Sequence, residues 1–253
     1  MNKLIIANWK MHYGPVKAGA WIRAFRRERL PKELEIGVAV PHVSLAAARS
    51  SLGRAGVPFL GAQNAFWENE GSYTGEVGPE MLKEFSCVFC LVGHSERRIY
   101  VGETDEMVAK KAVALQKEGI SPLICVGETA LERKAGKDKA IIRKQVIASL
   151  KKGASAGGKV PIMFAYEPIW AIGSGKACPP DEAKAMHDVI RDVLEKKFSK
   201  KAAEETRILY GGSVSKQTVI EYMTTTGVDG VLVGGASLDP REFGLMCRAA
   251  LPA

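Results

Sequence analysis

Eight short apolar runs, each bounded by polar turns, begin near Lys3, Glu35, Pro58, Cys87, Ile120, Val160, Arg207 and Val228. Between most of them the apolar residues recur at helical spacing, and this alternation constrains the fold more than any other feature of the chain. Met186, Val189, Ile190, Val193 and Leu194 form one such series, and Ile142, Val146 and Leu150 another; each lines one face of a helix. Asp239-Pro240 reads as an N-cap followed by proline at the first helical position. The strand runs are nearly continuous in Val, Ile, Leu and Ala, as parallel strands covered on both faces require. Eight β/α repeats in 253 residues predict a closed, eight-stranded parallel (β/α)8 barrel, a single α/β domain over residues 1–253. The competing architecture, an open doubly wound sheet, places a glycine-rich fingerprint after its first strand. Here that strand ends in Asn8-Trp9-Lys10, and no such fingerprint follows.

A composition of 46% hydrophobic and 25% charged residues supplies one large core and excludes a disordered or fibrous chain. No Ser/Pro/Gly-rich linker divides it. Thirty-six basic against 28 acidic residues leave a net charge of +8, which suits an anionic partner without specifying one. The densest basic stretches, Arg23 to Arg29 and Lys196 to Lys201, contain acids or sit at helix ends. They read as solvated faces, so no nucleic-acid partner is expected. The N-terminus turns polar by Asn8, and no stretch approaches the length of a membrane span. A soluble, cytoplasmic protein without membrane contact is therefore expected. The five cysteines are an odd number in a long chain, which fits reduced thiols. Cys87 and Cys90 form a C-x-x-C inside an apolar run; on one strand their separation would point them to opposite faces, unable to bridge or to share a metal.

In a barrel of this kind the loops after the strands form the active face, and here the strand ends are unusually polar. Strand one ends Asn8-Trp9-Lys10, strand three Gln63-Asn64, strand four Gly93-His94-Ser95-Glu96-Arg97-Arg98, and strand six Tyr166-Glu167-Pro168. Strands seven and eight end Gly211-Gly212-Ser213 and Gly234-Gly235-Ala236-Ser237. A glycine pair lets backbone N–H groups approach phosphate oxygens, and equally serves a tight turn; two pairs on adjacent strands favour phosphate. Gly173-Ser174-Gly175-Lys176 fails as a nucleotide loop, because Trp170 occupies the first glycine position and Ala177 replaces the magnesium-binding hydroxyl residue. Glu167, beside Pro168, is a candidate general base, or else a surface or ion-paired carboxylate. His94 sits between a strand end and the helix start Ser95-Glu96-Arg97, a position that favours a neutral, hydrogen-bonding imidazole. Lys10 suits a phosphate-binding cation, an oxyanion stabiliser or a Schiff-base amine. His12, His42 and His187 share no ligand spacing with the cysteines, so no metal is expected. No serine stands in a G-x-S-x-G elbow, which disfavours a hydrolase.

The chain resembles the triosephosphate isomerase family along essentially its whole length. The resemblance rests on ANWKM (Ala7 to Met11), GAQN (Gly61 to Asn64), YTGE (Tyr73 to Glu76), VGHSERR (Val92 to Arg98), ICVGE (Ile124 to Glu128), AYEPIWAIGSGK (Ala165 to Lys176), YGGSV (Tyr210 to Val214) and VLVGGASL (Val231 to Leu238). It implies interconversion of dihydroxyacetone phosphate and D-glyceraldehyde 3-phosphate through an enediolate, with no cofactor. Glu167 then matches the base, His94 the neutral electrophile, and Lys10 with Asn8 the groups that stabilise the developing charge. The phosphate would rest on Gly173, Ser213, Gly234 and Gly235. Glu96 and Cys125 match supporting residues near Lys10 and the base, and Ile172 and Leu232 would pack over Glu167. Pro168 to Cys178 would form a lid that suppresses loss of phosphate from the enediolate. Trp67 to Pro79 would cross to a second subunit, with Thr74 near the partner's site, so a homodimer is implied. Ala7, Ser174 and Ala177-Cys178 depart from the commonest family pattern.

Two other readings compete on the residues alone. One is a different phosphate-binding barrel, such as a Schiff-base aldolase acting through Lys10 or a biosynthetic sugar-phosphate isomerase. The other is a basic binding protein without turnover, supported only by the net charge.

Overall fold

The structure is a computed structural model that describes residues 1–53, 56–151, 153–172 and 177–251. Its strands are β1 (Lys3–Asn8), β2 (Leu34–Val40), β3 (Phe59–Ala62), β4 (Phe89–Val92), β5 (Ser121–Val126), β6 (Met163–Tyr166), β7 (Arg207–Tyr210) and β8 (Gly230–Val233). All pair in parallel and in sequence order, and β8 returns to β1 through Leu4 opposite Gly230 and Ala7 opposite Val233. The ring is therefore closed, as the eight-fold alternation predicts.

The helices that cover it are α1 (Pro15–Phe25), α2 (Leu45–Leu52), α3 (Pro79–Glu84), α4 (Ser95–Val101), α5 (Asp105–Lys117) and α6 (Ala130–Lys134). They continue with α7 (Asp138–Ser149), α8 (Pro180–Lys197), α9 (Lys200–Glu205), α10 (Val219–Thr224) and α11 (Pro240–Ala249). The apolar series of α8 is buried throughout, as are Ile142 and Val146 of α7. Asp239 caps α11 by accepting from the N–H groups of Arg241 and Glu242, both at 2.9 Å. No described helix is long and apolar enough to cross a membrane.

Alternation along each strand splits the core into two layers. Leu4, Ile6, Phe89, Leu91, Leu123, Met163 and Leu209 fill the barrel interior, while Ile5, Val38, Val92, Ile124 and Ile208 face the helices. Phe89 fits inside because its neighbours are small: a Cβ on Gly61 would fall 2.3 Å from its ring, and one on Gly37 2.9 Å.

Three strands start two or three residues later than the sequence expectation, β8 among them, at Gly230 and not Val228. The run beginning at Val160 pairs only from Met163, since Pro161 has no N–H to give to a ladder. The run beginning at Cys87 pairs only from Phe89; Cys87 still belongs to the turn after α3, donating its N–H to Leu82 O at 3.2 Å. Cys87 and Cys90 accordingly do not take opposite strand faces. Both lie in the outer core layer, and all five cysteines are free and buried. Burial pushes the Cys87 thiol up to about 12, the opposite of a redox-poised thiolate.

Candidate active site

Asn8 closes β1, and its Oδ1 accepts the backbone N–H of Lys10 at 3.0 Å. This turn holds Lys10 at φ 53°, a left-handed conformation that a lysine adopts at an energetic cost. The side chain is thereby directed along Gly234, where a Cβ would lie 3.3 Å from Lys10 Cε, and its Nζ reaches Glu96 Oε1 at 2.6 Å.

Gly93, at φ 72°, turns the chain out of β4 and presents His94 as the N-cap of α4. His94 Nδ1 accepts the Glu96 N–H at 3.3 Å. That nitrogen therefore carries no proton, although the Glu96 carboxylate lies 3.6 Å away, and the neutral ring keeps its proton on Nε2. Nε2 faces Glu167 Oε1 at 3.1 Å. The other carboxylate oxygen, Oε2, accepts the Ser95 N–H at 2.9 Å. Glu167 is 2% exposed, so a weak acid and a carboxylate confront each other with little water between them.

Glycine makes room for that carboxylate. A Cβ on Gly127 would fall 1.8 Å from Glu167 O, and one on Gly211 2.9 Å from Glu167 Cγ. Cys125 lies behind the base; burial first, and the Glu167 carboxylate second, hold its thiol well above the ordinary range. It acts here as neutral packing rather than as a nucleophile.

Asn8, Lys10, His94, Glu167, Ile172, Ser213, Leu232, Gly234 and Gly235 line one cavity of about 460 Å³. A short helical turn begins at Gly235, and its first N–H groups have no acceptor within the turn, which suits an anion. Gly173 lies outside the described residues, as do the other residues of the glycine cluster through Lys176. Glu96 borders a second cavity of about 360 Å³ that shares Asn8, Lys10 and His94 and extends to His42, Gln63 and Gly75. Thr74 is exposed and lines neither cavity. Among the described residues no cluster of His, Cys, Asp and Glu is placed to hold a metal ion.

Several supporting groups lay beyond the sequence reading. Buried Glu103 accepts from Gly93 N at 3.2 Å, Lys111 Nζ at 2.9 Å and Arg97 Nε at 2.8 Å, and Lys111 also bonds Asn64 Oδ1 at 2.8 Å. This network fixes the turn that presents His94. Glu128 Oε1 accepts from Tyr166 Oη at 3.0 Å and Trp170 Nε1 at 2.8 Å, with the Arg133 guanidinium 4.4 Å over the Trp170 ring. The chain just after Glu167 is thus anchored to the loop after β5. Glu128 was visible only as the last residue of ICVGE, and Glu103 and Lys111 carried no motif at all.

The family model described as Triosephosphate isomerase matches residues 3–250. Curated relatives of that name include those of Streptococcus thermophilus, 44% identical over 94% of each chain, and Thermus thermophilus, 41% identical over 99% of this chain and 100% of the relative. The relative from Dictyoglomus thermophilum is 40% identical over 96% of this chain and 97% of its own.

Proposed function

Because the chain belongs to the triosephosphate isomerase family, we infer that the cavity at the C-terminal mouth of its barrel interconverts dihydroxyacetone phosphate and D-glyceraldehyde 3-phosphate, the isomerisation of glycolysis and gluconeogenesis. The observation that carries the assignment of roles is the pairing across the cavity: a neutral imidazole with Nε2–H outward, 3.1 Å from a buried carboxylate oxygen.

Substrate entering between them would take both hydrogen-bonding partners. Glu167 accepts a proton from the carbon next to the carbonyl, while His94 Nε2–H donates to the carbonyl oxygen, on which negative charge develops. Lys10 Nζ and the Asn8 side chain add positive potential beside the same oxygens. The enediol(ate) so formed keeps every heavy atom of the substrate, with the abstracted proton held on Glu167. Return of the proton from Glu167 to the adjacent carbon, with His94 exchanging protons between the two oxygens, gives the isomer. The phosphate is held by Ser213, Gly234 and Gly235, and Ile172 and Leu232 present apolar surface to the base. Residues 168–178 act as the lid. No cofactor enters this sequence, because the carbonyl itself acidifies the neighbouring C–H.

The protein acts as a cytoplasmic homodimer in this reading, residues 1–253 folding as one domain. The support is a set of exposed apolar side chains close in sequence to residues that line the second cavity: Met11, itself in that lining, and Val43, Tyr73, Ile99, Tyr100 and Val101. Thr74 of one protomer would enter the cavity bounded by Lys10, Glu96 and His42 of the other.

Turnover of D-glyceraldehyde 3-phosphate by purified protein, without metal or nucleotide, tests the reading. Wild type is expected to be active, and Glu167→Gln to lose about 10³-fold in kcat, within the range of a general base. Equal rates in the two proteins would remove Glu167 from its role.

A further inference from the structure

Lys10 and the glycine pair Gly234-Gly235 stand on different loops, after β1 and β8, and one residue joins the two. Tyr13 follows Lys10 by three positions. Its Oη donates to Leu238 O at 2.6 Å, its carbonyl accepts the Ser44 hydroxyl at 2.6 Å, and its ring stands edge-on to Trp9 with centroids 5.3 Å apart. Ser44 is fully buried and lies in the loop after β2, so Tyr13 ties three strand-end loops together. Burial first, and Asp239 second, raise its phenol above the ordinary range, which keeps it a donor through neutral pH.

Tyr13 is held at φ 68°, in the left-handed region where a bulky side chain is strained. Lys10 is strained in the same way at φ 53°, and Met11 and His12 between them are exposed. The segment that aims the cation is therefore strained at both ends and uncovered in the middle, and the bonds of Tyr13 hold its far end in place. On the other loop, Leu238 closes the short turn that opens at the glycine pair. Its N–H donates to Gly235 O at 3.1 Å, and Ser237 folds back on Gly234 O through its N–H at 2.9 Å and its Oγ at 2.7 Å. A turn bonded to itself in this way moves as one piece, so a grip on Leu238 O is a grip on Gly234 and Gly235.

We infer that Tyr13 is a positioning residue for substrate binding: by tying the loop of Lys10 to the turn of Gly234 and Gly235, it fixes the span between the cation and the phosphate cradle. This rests on the isomerase reading of the cavity. A ligand anchored at both ends, by its phosphate and by its oxygens at the reacting carbons, depends on that span. Inorganic phosphate, which fills the cradle alone, depends on it less. His94 and Glu167 are oriented through α4 and the Ser95 N–H, not through the loop of Lys10, so the proton-transfer geometry is affected less than binding.

The test is Tyr13→Phe, which keeps the ring against Trp9 and removes the hydroxyl. Calorimetry with 2-phosphoglycolate, a phosphate and a carboxylate on one short chain, and with inorganic phosphate gives the ratio of the two affinities. We expect the ratio to fall by about fivefold, the worth of one hydrogen bond, and KM for D-glyceraldehyde 3-phosphate to rise by a similar factor with kcat changed less. A purely structural contribution lowers thermal stability or weakens both ligands alike. An unchanged ratio in the folded variant, whether both ligands weaken equally or neither does, therefore overturns the inference. If Tyr13→Phe fails to fold, Ser44→Ala, which releases the same residue at its carbonyl, carries the same test. If wild type binds 2-phosphoglycolate without turning over triose phosphates, the isomerase reading falls while the ratio still decides the role of Tyr13.

Discussion

A methyl group on Gly127 would lie 1.8 Å from the carbonyl oxygen of Glu167, well inside any non-bonded contact, so the backbone after β5 determines where the base can stand. Gly127→Ala is expected to cost about 1 to 3 kcal/mol of stability, as overpacked sites do, and to lower kcat more than it raises KM, since the displaced group is the base and not the phosphate cradle. Urea denaturation and steady-state kinetics on the same preparation check both. Residue-scale chemistry was legible where it sits at strand ends, because a barrel brings strand ends together whatever their separation in sequence. Asn8, Lys10, His94, Glu167 and the two glycine pairs were visible for that reason. Glu103 and Lys111 were not: they act through contacts across the fold, and a buried Glu–Lys pair has no distinctive sequence spacing.

Among the elements, α8 carries the clearest pH signature. His187 is buried on its inner face, with Nδ1 3.3 Å from Gly227 O and the ring edge-on to Tyr166 at 6.3 Å. Burial is the largest influence, and it lowers the folded-state pKa to about 3 from an ordinary 6.5. Below pH 6.5 the unfolded chain therefore takes up a proton that the folded chain refuses. Stability falls as pH drops from 6.5 towards 3, by about 1.4 kcal/mol per unit from this group, and is unaffected by it above that window. His187→Asn should flatten this limb of the stability profile, which denaturation midpoints measured between pH 7 and pH 4 would reveal. The apolar series of α8 identified the helix and its buried face, but the histidine at the stripe's margin did not disclose its complete burial. Strand boundaries were legible to within two or three residues, and the errors had local causes: Pro161 withholds a donor before β6, and Ser86, at φ 58°, turns the chain just before Cys87, which delays β4.

For the whole molecule, the exposed side chains of Met11, Ile99, Tyr100 and Val101 lie on loops and a helix that also carry Lys10 and His94. Association through that surface would couple assembly to the geometry of the site. If the proposed dimer uses this surface, Tyr100→Asp would place a charge where it buries apolar area, and an unpaired buried charge is strongly unfavourable. Sedimentation velocity is expected to show a monomer, with kcat reduced in parallel; an unchanged dimer would mean that another face is used. The net charge of +8 gives no comparable prediction, because capture of an anion depends on the field at the cavity mouth and not on the sum. Closure of the ring has a different consequence. The acid, His94, and the cation, Lys10, come from the ends of β4 and β1, whereas the base and the phosphate-binding turns come from β6, β7 and β8. Neither half of the chain owns a working set. Catalysis in this protein is a coincidence signal: it reports that both halves have found each other, and a chain cut between β4 and β5 would regain activity only on reunion.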